Sequence, residues 1–354
     1  MNKIIDFAWK IWNQWLKYRY VDPIVSFARL LIIIGAGLMT PGGVWWLVVA
    51  FEIKPEIIPG TYKINIGPET VTIIGSILLF AGLCIGILGI WRIKKVRSSC
   101  FIYLRGLSGM NDSPPIKDLP PKYRYGEVAH LTMDTHNEKA EKVLPYIDLF
   151  KKMFDGKVVS MNLDAPTIVF AGLAQVPVLY IAGLKLSTRD NIFLMDYNRF
   201  DRSWHTLDAI DDHERLEIIY PTEKVNDDVA LALPFTVDIA ESQIPKHLRD
   251  RTIWMKLNSK GSRTDSLSSN EKLDAILTLI NNEIRNLRGK KGYESIKTLH
   301  LFIAAQASTV FKLGALFQQN IYPNLKIYHF QGSKGIYSWY YSIEGSKIKY
   351  QKLD

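Results

Sequence analysis

The sequence has few cysteines and lacks the short motifs that mark common catalytic and metal sites. Its 354 residues include two cysteines, which exclude a disulfide framework or a C-x-x-C metal site and suit a reducing cytosol. Seven histidines are scattered with no H-E-x-x-H spacing. No P-loop, G-x-G-x-x-G fingerprint or G-x-S-x-G nucleophile elbow occurs either. The sequence therefore predicts no catalytic residues and no metal ligands.

Positive charge is in excess mainly at the N-terminal end. The net charge is +9, and residues 1–97 contain 11 Lys and Arg against 5 Asp and Glu. The remaining residues are close to balance, with 33 basic against 30 acidic side chains. An excess in this place is typical of the flanks of membrane segments facing anionic lipid, and not of a binding track for DNA or RNA.

Two long uncharged runs dominate that end of the chain. Val71–Ile90 comprises 20 residues, and a helix of this length spans the roughly 30 Å hydrocarbon core of a bilayer. A second uncharged run, Leu30–Phe51, precedes it. We therefore expect residues 23–97 to form a two-helix transmembrane hairpin. The pattern Gly82-x-x-x-Gly86 allows close helix packing, within one chain or between clustered chains.

The distribution of basic residues orients this hairpin. The segment between the runs, Glu52–Thr70, carries only two basic residues, whereas further basic residues flank the runs on their outer sides. Basic residues stay on the cytoplasmic side, so both termini and residues 98–354 are expected in the cytosol. Residues 1–22 have the spacing of an amphipathic, tryptophan-rich helix. We expect it to lie in the membrane interface, with packing on the cytosolic domain as the alternative.

After the hairpin, the chain alternates between strand and helix patterns. A strand at Cys100–Leu104 and a helix at Asn137–Phe154 are followed by a βαβ unit over residues 167–195. A second round has elements at Lys272–Leu287, Leu299–Ala304, Ser308–Gln318 and Leu325–Phe330. The sequence thus predicts an α/β fold of parallel sheets covered by helices, in two Rossmann-type lobes at about 98–222 and about 223–354.

Two strand-to-helix turns are candidate ligand sites. They are Phe170–Gln175 and Ala304–Ser308. At the carboxyl ends of parallel strands, helix N-termini present free N–H groups to anionic ligands. The small residues in these turns fit two interpretations equally: a ligand that approaches the backbone, or tight packing of helix on strand.

Acidic residues crowd the chain around Trp204 and His205. Such runs usually form a solvated loop, and we favour this interpretation over an acid/base pair or a metal site. The acidic residues are Asp201, Asp208, Asp211, Asp212 and Glu214.

Two pairs of segments resemble the halves of one domain family. The first pair is FAGLAQVPVLYIAGLKL at Phe170–Leu186 with FLMDYNRFDRSW at Phe193–Trp204. The second pair is HLFIAAQASTVFKLGALF at His300–Phe317 with LKIYHF at Leu325–Phe330. In order and separation they resemble a SAVED domain, the sensor of effectors in bacterial cyclic-oligonucleotide-based anti-phage signalling (CBASS). The resemblance covers the chain from about Cys100 onward and implies two fused CARF-like lobes.

This resemblance implies a function, a ligand and partners. A transmembrane SAVED effector binds a cyclic di- or trinucleotide made by a partner nucleotidyltransferase (CD-NTase) and oligomerises. It then disrupts the bacterial inner membrane, which causes abortive infection. No cofactor besides this ligand is implied.

The resemblance also implies which residues face the ligand. In the first lobe they are Gly172, Leu173, Ala174 and Gln175, and in the second lobe Gln306, Ala307, Ser308 and Lys312. Between them, Tyr197, Arg199 and Trp204 are candidates for stacking on bases or pairing with phosphate. Gln306 departs from the proline expected in the family, and its amide is able to read a base edge.

Two other classes of function stay open. A membrane-bound phosphodiesterase would degrade the same ligand, but the lack of an acid/base or metal set disfavours an enzyme. A passive anchor would only hold a partner protein at the membrane. Deleting residues 1–97 distinguishes a passive anchor from an effector. An anchor keeps partner binding, whereas an effector loses toxicity and keeps ligand affinity.

Overall fold

A computed structural model describes most of the chain. The described residues are 23–39, 68–96, 99–107, 115–120, 123, 129–160, 167–186, 192–198, 201–222, 227–258, 263–264, 266–317 and 321–353. They divide into two compact units, one with two N-terminal helices and one with two β-sheets. The predicted amphipathic helix at residues 1–22 lies outside the described residues.

The N-terminal unit pairs helix α1 (Pro23–Leu38) with helix α2 (Pro68–Val96). Within α2, Val71–Trp91 has a mean hydropathy of 2.6 over 21 residues and is long and apolar enough to cross a membrane, by length and composition. Helix α1 has 16 residues, so at ~1.5 Å per residue it is shorter than a bilayer core. It begins before the uncharged run predicted as the first span, and residues 40–51 of that run lie outside the described residues.

Glycines bring the two helices into close, antiparallel contact. A Cβ atom placed on Gly35 would lie 2.5 Å from the amide nitrogen of Leu79. A Cβ on Gly82 would lie 2.8 Å from Ile32 and 2.9 Å from the carbonyl oxygen of Ala28. The glycine face of α2 is therefore occupied by α1 of the same chain, which is the first of the two alternatives drawn from the Gly82-x-x-x-Gly86 pattern.

The sheet of lobe 1 has the order β2-β1-β3-β4-β5. Its strands are β1 (Ser99–Arg105), β2 (Ala129–Asp134), β3 (Thr167–Leu173), β4 (Ile192–Asn198) and β5 (Ser203–Thr206). The first four are parallel, with β1 and β3 paired from Ser99–Thr167 to Arg105–Leu173, and β5 is an antiparallel edge. Helices α3 (Ala140–Ser160) and α4 (Val176–Leu186) form the crossovers. The central strands are continuous apolar runs, as expected of parallel strands buried on both faces.

The sheet of lobe 2 has the order β12-β11-β10-β9-β7-β8-β6. Its strands are β6 (Leu216–Ile219), β7 (Asp228–Pro234), β8 (Thr252–Leu257), β9 (Thr298–Ala304), β10 (Asn324–Gln331), β11 (Ile336–Glu344) and β12 (Lys347–Lys352). Only its centre is parallel; β6 and the β11–β12 hairpin pair antiparallel. Both sheets are therefore mixed, where the sequence predicted parallel ones. Strand β6, which the sequence boundary near residue 222 placed in lobe 1, pairs with β8 of lobe 2.

Within the part of lobe 2 that the structure describes, three α-helices accompany the sheet. They are α5 (Lys246–Arg249), α6 (Asn270–Asn286) and α7 (Ala307–Ala315). The N-cap of α6 is Ser269, whose hydroxyl accepts a hydrogen bond from the amide of Lys272.

The lobes meet where α4 crosses α7. A Cβ placed on Gly183 of α4 would collide with the carbonyl oxygen of Phe311, and one on Gly314 of α7 would collide with that of Tyr180. The ring of Phe311 stacks on Phe170 of β3, with centroids 3.7 Å apart. Both glycines thus permit backbone contact between the lobes, and this crossing places the N-termini of the two helices at the same region of the domain.

Candidate functional site

A cavity of about 610 Å³ opens where strand ends of both lobes converge. This volume is within the range of small-molecule sites. Lobe 1 contributes Leu173, Val176, Asp196 and Tyr197. Lobe 2 contributes Thr236, Val237, Asp238, Ile239, Gln243, Thr264, Ile303, Ala304, Ala305, Gln306, Ala307, Phe330 and Tyr337. Both predicted turns therefore reach one cavity, although only some of their residues line it.

Asp196 of lobe 1 caps the N-terminus of α7, which belongs to lobe 2. Its carboxylate accepts a hydrogen bond of 3.0 Å from the amide of Ser308 and one of 2.5 Å from the Ser308 hydroxyl. Asp196 is 3% exposed and Ser308 is fully buried. A carboxylate near the positive end of a helix is stabilised by the first N–H groups and the helix dipole. The negative charge that this helix end favours is thus supplied by the protein itself.

The residue before α7 presents an amide with a defined orientation. The Gln306 side-chain oxygen accepts a 3.0 Å hydrogen bond from the amide of Leu267. Its Nε2 is shielded from water and has no hydrogen-bond partner among the described residues. At the equivalent place before α4, the side-chain oxygen of Gln175 is also buried and has no hydrogen-bond partner among the described residues. Both are buried polar atoms without a hydrogen-bond partner among the described residues, and of the two glutamines Gln306 lines the cavity.

Aromatic side chains supply flat apolar surface to the cavity. Tyr197 lines it and packs on Trp204, with ring centroids 5.2 Å apart. Trp204 is 7% exposed and also contacts Tyr103, so it supports Tyr197 from behind and does not line the cavity. Burial raises the pKa of Tyr337, which keeps this lining phenol protonated and neutral at ordinary pH.

Among the described residues, the other predicted ligand-facing positions do not line this cavity. A Cβ on Gly172 would lie 2.9 Å from the Leu104 side chain, so this glycine serves tight packing. Ala174 is 6% exposed and does not line the cavity. Lys312 points to α6, where its ammonium pairs with Asp274. Arg199 lies outside the described residues. Leu173, Tyr197, Gln306 and Ala307 are the predicted residues that line the cavity.

The sequence profile described as "SMODS-associated and fused to various effectors sensor domain" (SAVED) matches residues 150–343, more than half of the chain. This chain belongs to the SAVED family. The match contains the cavity lining, the crossing of α4 with α7, and the glutamines before both helices. No curated protein matches the chain.

Several solved structures are similar to this SAVED chain. One is the Cap4 SAVED/CARF-domain containing receptor of Acinetobacter baumannii with the cyclic trinucleotide 2′3′3′-cAAA, at 14% identity, 76% coverage of this chain, 59% of that chain and a TM-score of 0.44. The same receptor with 3′3′3′-cAAA gives 14% identity, the same coverages and a TM-score of 0.42. A Moraxella osloensis Cap4 receptor gives 15% identity, 76% and 57% coverage, and a TM-score of 0.38. The chain thus spans less than two thirds of the length of these receptors.

Sequence reasoning missed part of this SAVED site. It did not find Asp196 or the segment Thr236–Ile239 after β7, because their place at the cavity depends on contacts between distant elements. One internal repeat was available as a signal. In both lobes a glutamine precedes the helix and a glycine follows eight residues later, at Gln175 and Gly183 and at Gln306 and Gly314.

The acidic segment of the SAVED domain has a structural role. Arg263 and Lys272 each bond the Glu214 carboxylate, at 2.8 and 2.7 Å, and Lys272 also bonds Asp212 at 2.7 Å. The side chains of Glu214 and Lys272 are 1% and 3% exposed, so the solvated loop predicted here is wrong for Glu214. The hydrogen bond from Lys272 lowers the pKa of Asp212. Among the described residues, no group of three His, Cys, Asp or Glu side chains is placed to hold a metal ion.

Proposed function

We propose that this protein is a membrane-attached receptor of the SAVED family that binds a cyclic di- or trinucleotide made by a CD-NTase. The observation that carries the proposal is the cavity between the two lobes of a sensor domain, lined by strand ends and helix starts from both halves. Its aromatic lining fits nucleobases, which stack on flat rings.

The output of this receptor is proposed to be disruption of the bacterial inner membrane in anti-phage defence. Ligand binding favours self-assembly of the SAVED domains, and assembly clusters the N-terminal helices. Helix α1 covers the glycine face of α2. The faces of both helices that point away from this contact carry exposed apolar side chains. Large exposed side chains on these faces are Phe27, Leu30, Ile33, Ile34, Ile73, Ile77, Phe80, Ile87, Leu88 and Trp91. Such faces fit a lipid environment and contact between clustered hairpins.

The degree of assembly that the ligand can cause is limited by how much more tightly it binds the assembled state. A ligand shifts an equilibrium only by its difference in affinity for the assembled and free states. Moving the assembled fraction from about 1% to about 99% requires roughly 10⁴-fold tighter binding to the assembled state. Contacts that exist only when domains are stacked must supply this difference.

A liposome assay tests the proposal. Full-length protein is reconstituted into dye-filled liposomes and mixed with 2′3′3′-cAAA, 3′3′3′-cAAA and a panel of cyclic dinucleotides, with linear oligonucleotides of the same composition as controls. We expect one cyclic compound to bind, to increase the size of the assembly and to release dye, while its linear counterpart does none of these. Binding without dye release would remove the membrane-disrupting output and leave the receptor.

The same samples test whether the bound ligand stays intact. We propose binding without cleavage, so the mass of the ligand should be unchanged after long incubation. Conversion to linear products that requires the folded protein would instead support the phosphodiesterase.

A further inference from the structure

We propose that Arg29 lines the path that clustered hairpins open through the membrane, and that its positive charge makes this path selective for anions. The inference rests on the proposed function, because it takes α2 as a membrane span and assembly as the trigger. It goes beyond that function by naming the kind of ion that crosses and the residue that selects it.

Arg29 lies deep along the apolar span of α2. A Cβ on Gly82 would lie 2.9 Å from the carbonyl oxygen of Ala28, and one on Gly86 would lie 3.6 Å from the Ala28 Cβ. The next residue, Arg29, is therefore level with the segment between these two glycines. The apolar stretch ends at Trp91, five residues beyond Gly86 and nine beyond Gly82. At ~1.5 Å per residue, Arg29 is thus roughly 8–13 Å inside the span.

A charge at this depth is costly in hydrocarbon. Arg29 is the one charged residue in Pro23–Leu38, and Val71–Trp91 contains none. An extended arginine reaches roughly 7 Å from its Cα, so its guanidinium stops short of the end of the span. Ionised side chains inside a membrane usually face a water-filled cavity or an ion path. The position of Arg29 therefore favours a water-filled path beside α1.

Arg29 also lies at the edge of the contact between the two helices. Val25, Ala28 and Leu38 of α1 are buried, whereas Arg29 is half-buried beside them. Ser26 is exposed and lies at i−3 from Arg29, on the same side of α1. These two residues form a short polar strip in an otherwise apolar helix. When hairpins cluster, such a strip from each chain can line a common path.

Clustering determines which ions this path favours. Assembly brings one Arg29 charge per chain to the same depth in the membrane. In a medium of low dielectric constant these charges repel one another unless water and anions lie between them. Rings of basic side chains are a known basis of anion selectivity in membrane pores. The ions expected to cross are therefore small inorganic anions such as chloride.

The experiment measures ion selectivity of the full-length protein in planar lipid bilayers under a gradient of potassium chloride. In one arm, assembly is triggered with 2′3′3′-cAAA, 3′3′3′-cAAA or a panel of cyclic dinucleotides. In the other arm, tetravalent streptavidin clusters chains that carry a biotin at the C-terminus, so no ligand is needed. The reversal potential gives the ratio of chloride to potassium permeability. We expect this ratio to be at least threefold in favour of chloride.

Variants of Arg29 test whether its charge is the cause. Arg29→Gln should bring the permeability ratio to about one, Arg29→Glu should favour potassium, and Arg29→Lys should keep the preference for chloride. Arg92→Gln is the matched control, because it removes the same charge just beyond the end of the apolar stretch. In ~1 M salt the Debye length is about 3 Å, so charges outside the path are screened and this control should change the ratio less than twofold.

The outcomes separate this inference from the proposed function. A current that does not prefer chloride, unchanged selectivity in Arg29→Gln, or an equal loss of selectivity in Arg29→Lys or Arg92→Gln would overturn the inference and leave the membrane output intact. No current in either arm, with insertion of the protein into the bilayer confirmed, would overturn the membrane output and this inference together.

Discussion

The hydroxyl of Ser308 joins the two lobes through a single buried carboxylate. Ser308→Ala removes its 2.5 Å hydrogen bond to Asp196 and leaves that buried charge with one donor fewer. Because hydrogen bonds to charged groups contribute about 1.5–3 kcal/mol, we expect the free energy of unfolding to fall by about that amount. The measurement is chemical unfolding of the full-length protein.

The neighbouring residue offers a matched control for this change. Thr309 is 1% exposed and its hydroxyl has no hydrogen-bond partner among the described residues. Thr309→Val should therefore leave the unfolding free energy unchanged or raise it. A Thr309→Val loss as large as that of Ser308→Ala would contradict the role given to Asp196.

His300 makes the stability of lobe 2 depend on pH. Burial, with a smaller effect of the Lys326 charge, lowers the pKa of His300 from 6.5 to about 4. The unfolded chain thus takes up a proton near pH 6.5 while the folded protein stays neutral until about pH 4. Stability is full above pH 6.5 and falls as the pH drops toward 4, by about 2 kcal/mol at pH 5 from this residue.

Replacing His300 should reduce this pH dependence. His300→Gln cannot take up a proton, but it can still hydrogen-bond the Tyr328 hydroxyl, which lies 2.8 Å from Nδ1 in the wild type. We expect its unfolding midpoint to fall less between pH 7 and pH 5 than that of the wild type. Burial also lowers the pKa of His329 to about 4, so part of the pH dependence should remain. Identical pH profiles for both proteins would refute this assignment.

At the residue scale, the site was predictable only where residues belong to the two turns. Leu173 ends strand β3 and Gln306 lies two residues after β9, so the rule for ligands at strand ends finds both. Asp196 is 112 residues from Ser308 in the chain, and nothing in its local pattern indicates that it caps a helix of the other lobe. Gly172 was predicted to face the ligand, but in the structure it serves packing. A small residue is required for close packing and for contact with a ligand, so the sequence pattern does not distinguish the two.

At the scale of elements, the crossing of α4 with α7 depends on two glycines. Gly183→Ala and Gly314→Ala each place a methyl group on a carbonyl of the facing helix, where backbone atoms cannot turn aside. We expect each to lower the unfolding free energy by about 1–3 kcal/mol, the usual range for overpacking. Gly156→Ala in α3 is the control, because its Cβ would meet nothing within 4 Å and should be neutral or slightly stabilising. Equal effects at all three positions would contradict the close crossing.

The pairing of α1 with α2 within one chain can be tested by a disulfide. A Cβ on Gly86 would lie 3.6 Å from that of Ala28, within the usual range for a disulfide. In a chain with Cys84→Ser and Cys100→Ala, the pair Ala28→Cys and Gly86→Cys should oxidise to a bond within the monomer, seen by mass spectrometry of peptides. The pair Gly37→Cys and Gly86→Cys should not. Disulfide-linked dimers as the main product would mean that the glycine face joins different chains.

The elements themselves were largely predictable, with instructive exceptions. Strands β1, β3, β9 and β10 are rich in apolar residues and are bounded by turns, and the sequence located each of them within a few residues. The β11–β12 hairpin was missed, although Gly345-Ser346 marks its two-residue turn. Strand β6 shows why lobe boundaries are harder, because its antiparallel pairing with β8 is set by tertiary contacts and not by the order along the chain.

At the scale of the whole molecule, the chain contains a SAVED domain preceded by an apolar helix. In the proposed function the SAVED domain, with the cavity between its lobes, is the receptor, and Val71–Trp91 is by length and composition the segment that could cross a bilayer. Removing residues 1–97 should therefore abolish toxicity and dye release in liposomes while leaving ligand affinity within a few-fold. Loss of affinity in that truncated protein, with its fold confirmed by circular dichroism, would mean that the N-terminal helices take part in recognition.

The most direct test of the central claim is equilibrium binding of cyclic oligonucleotides to the full-length protein. Isothermal titration with the two cyclic triadenylates and a panel of cyclic dinucleotides measures affinity and stoichiometry, with the matching linear compounds as controls. We predict saturable binding of at least one cyclic compound and no binding of its linear form. Folded wild-type protein that binds no member of the panel, or binds linear and cyclic forms alike, would contradict the account.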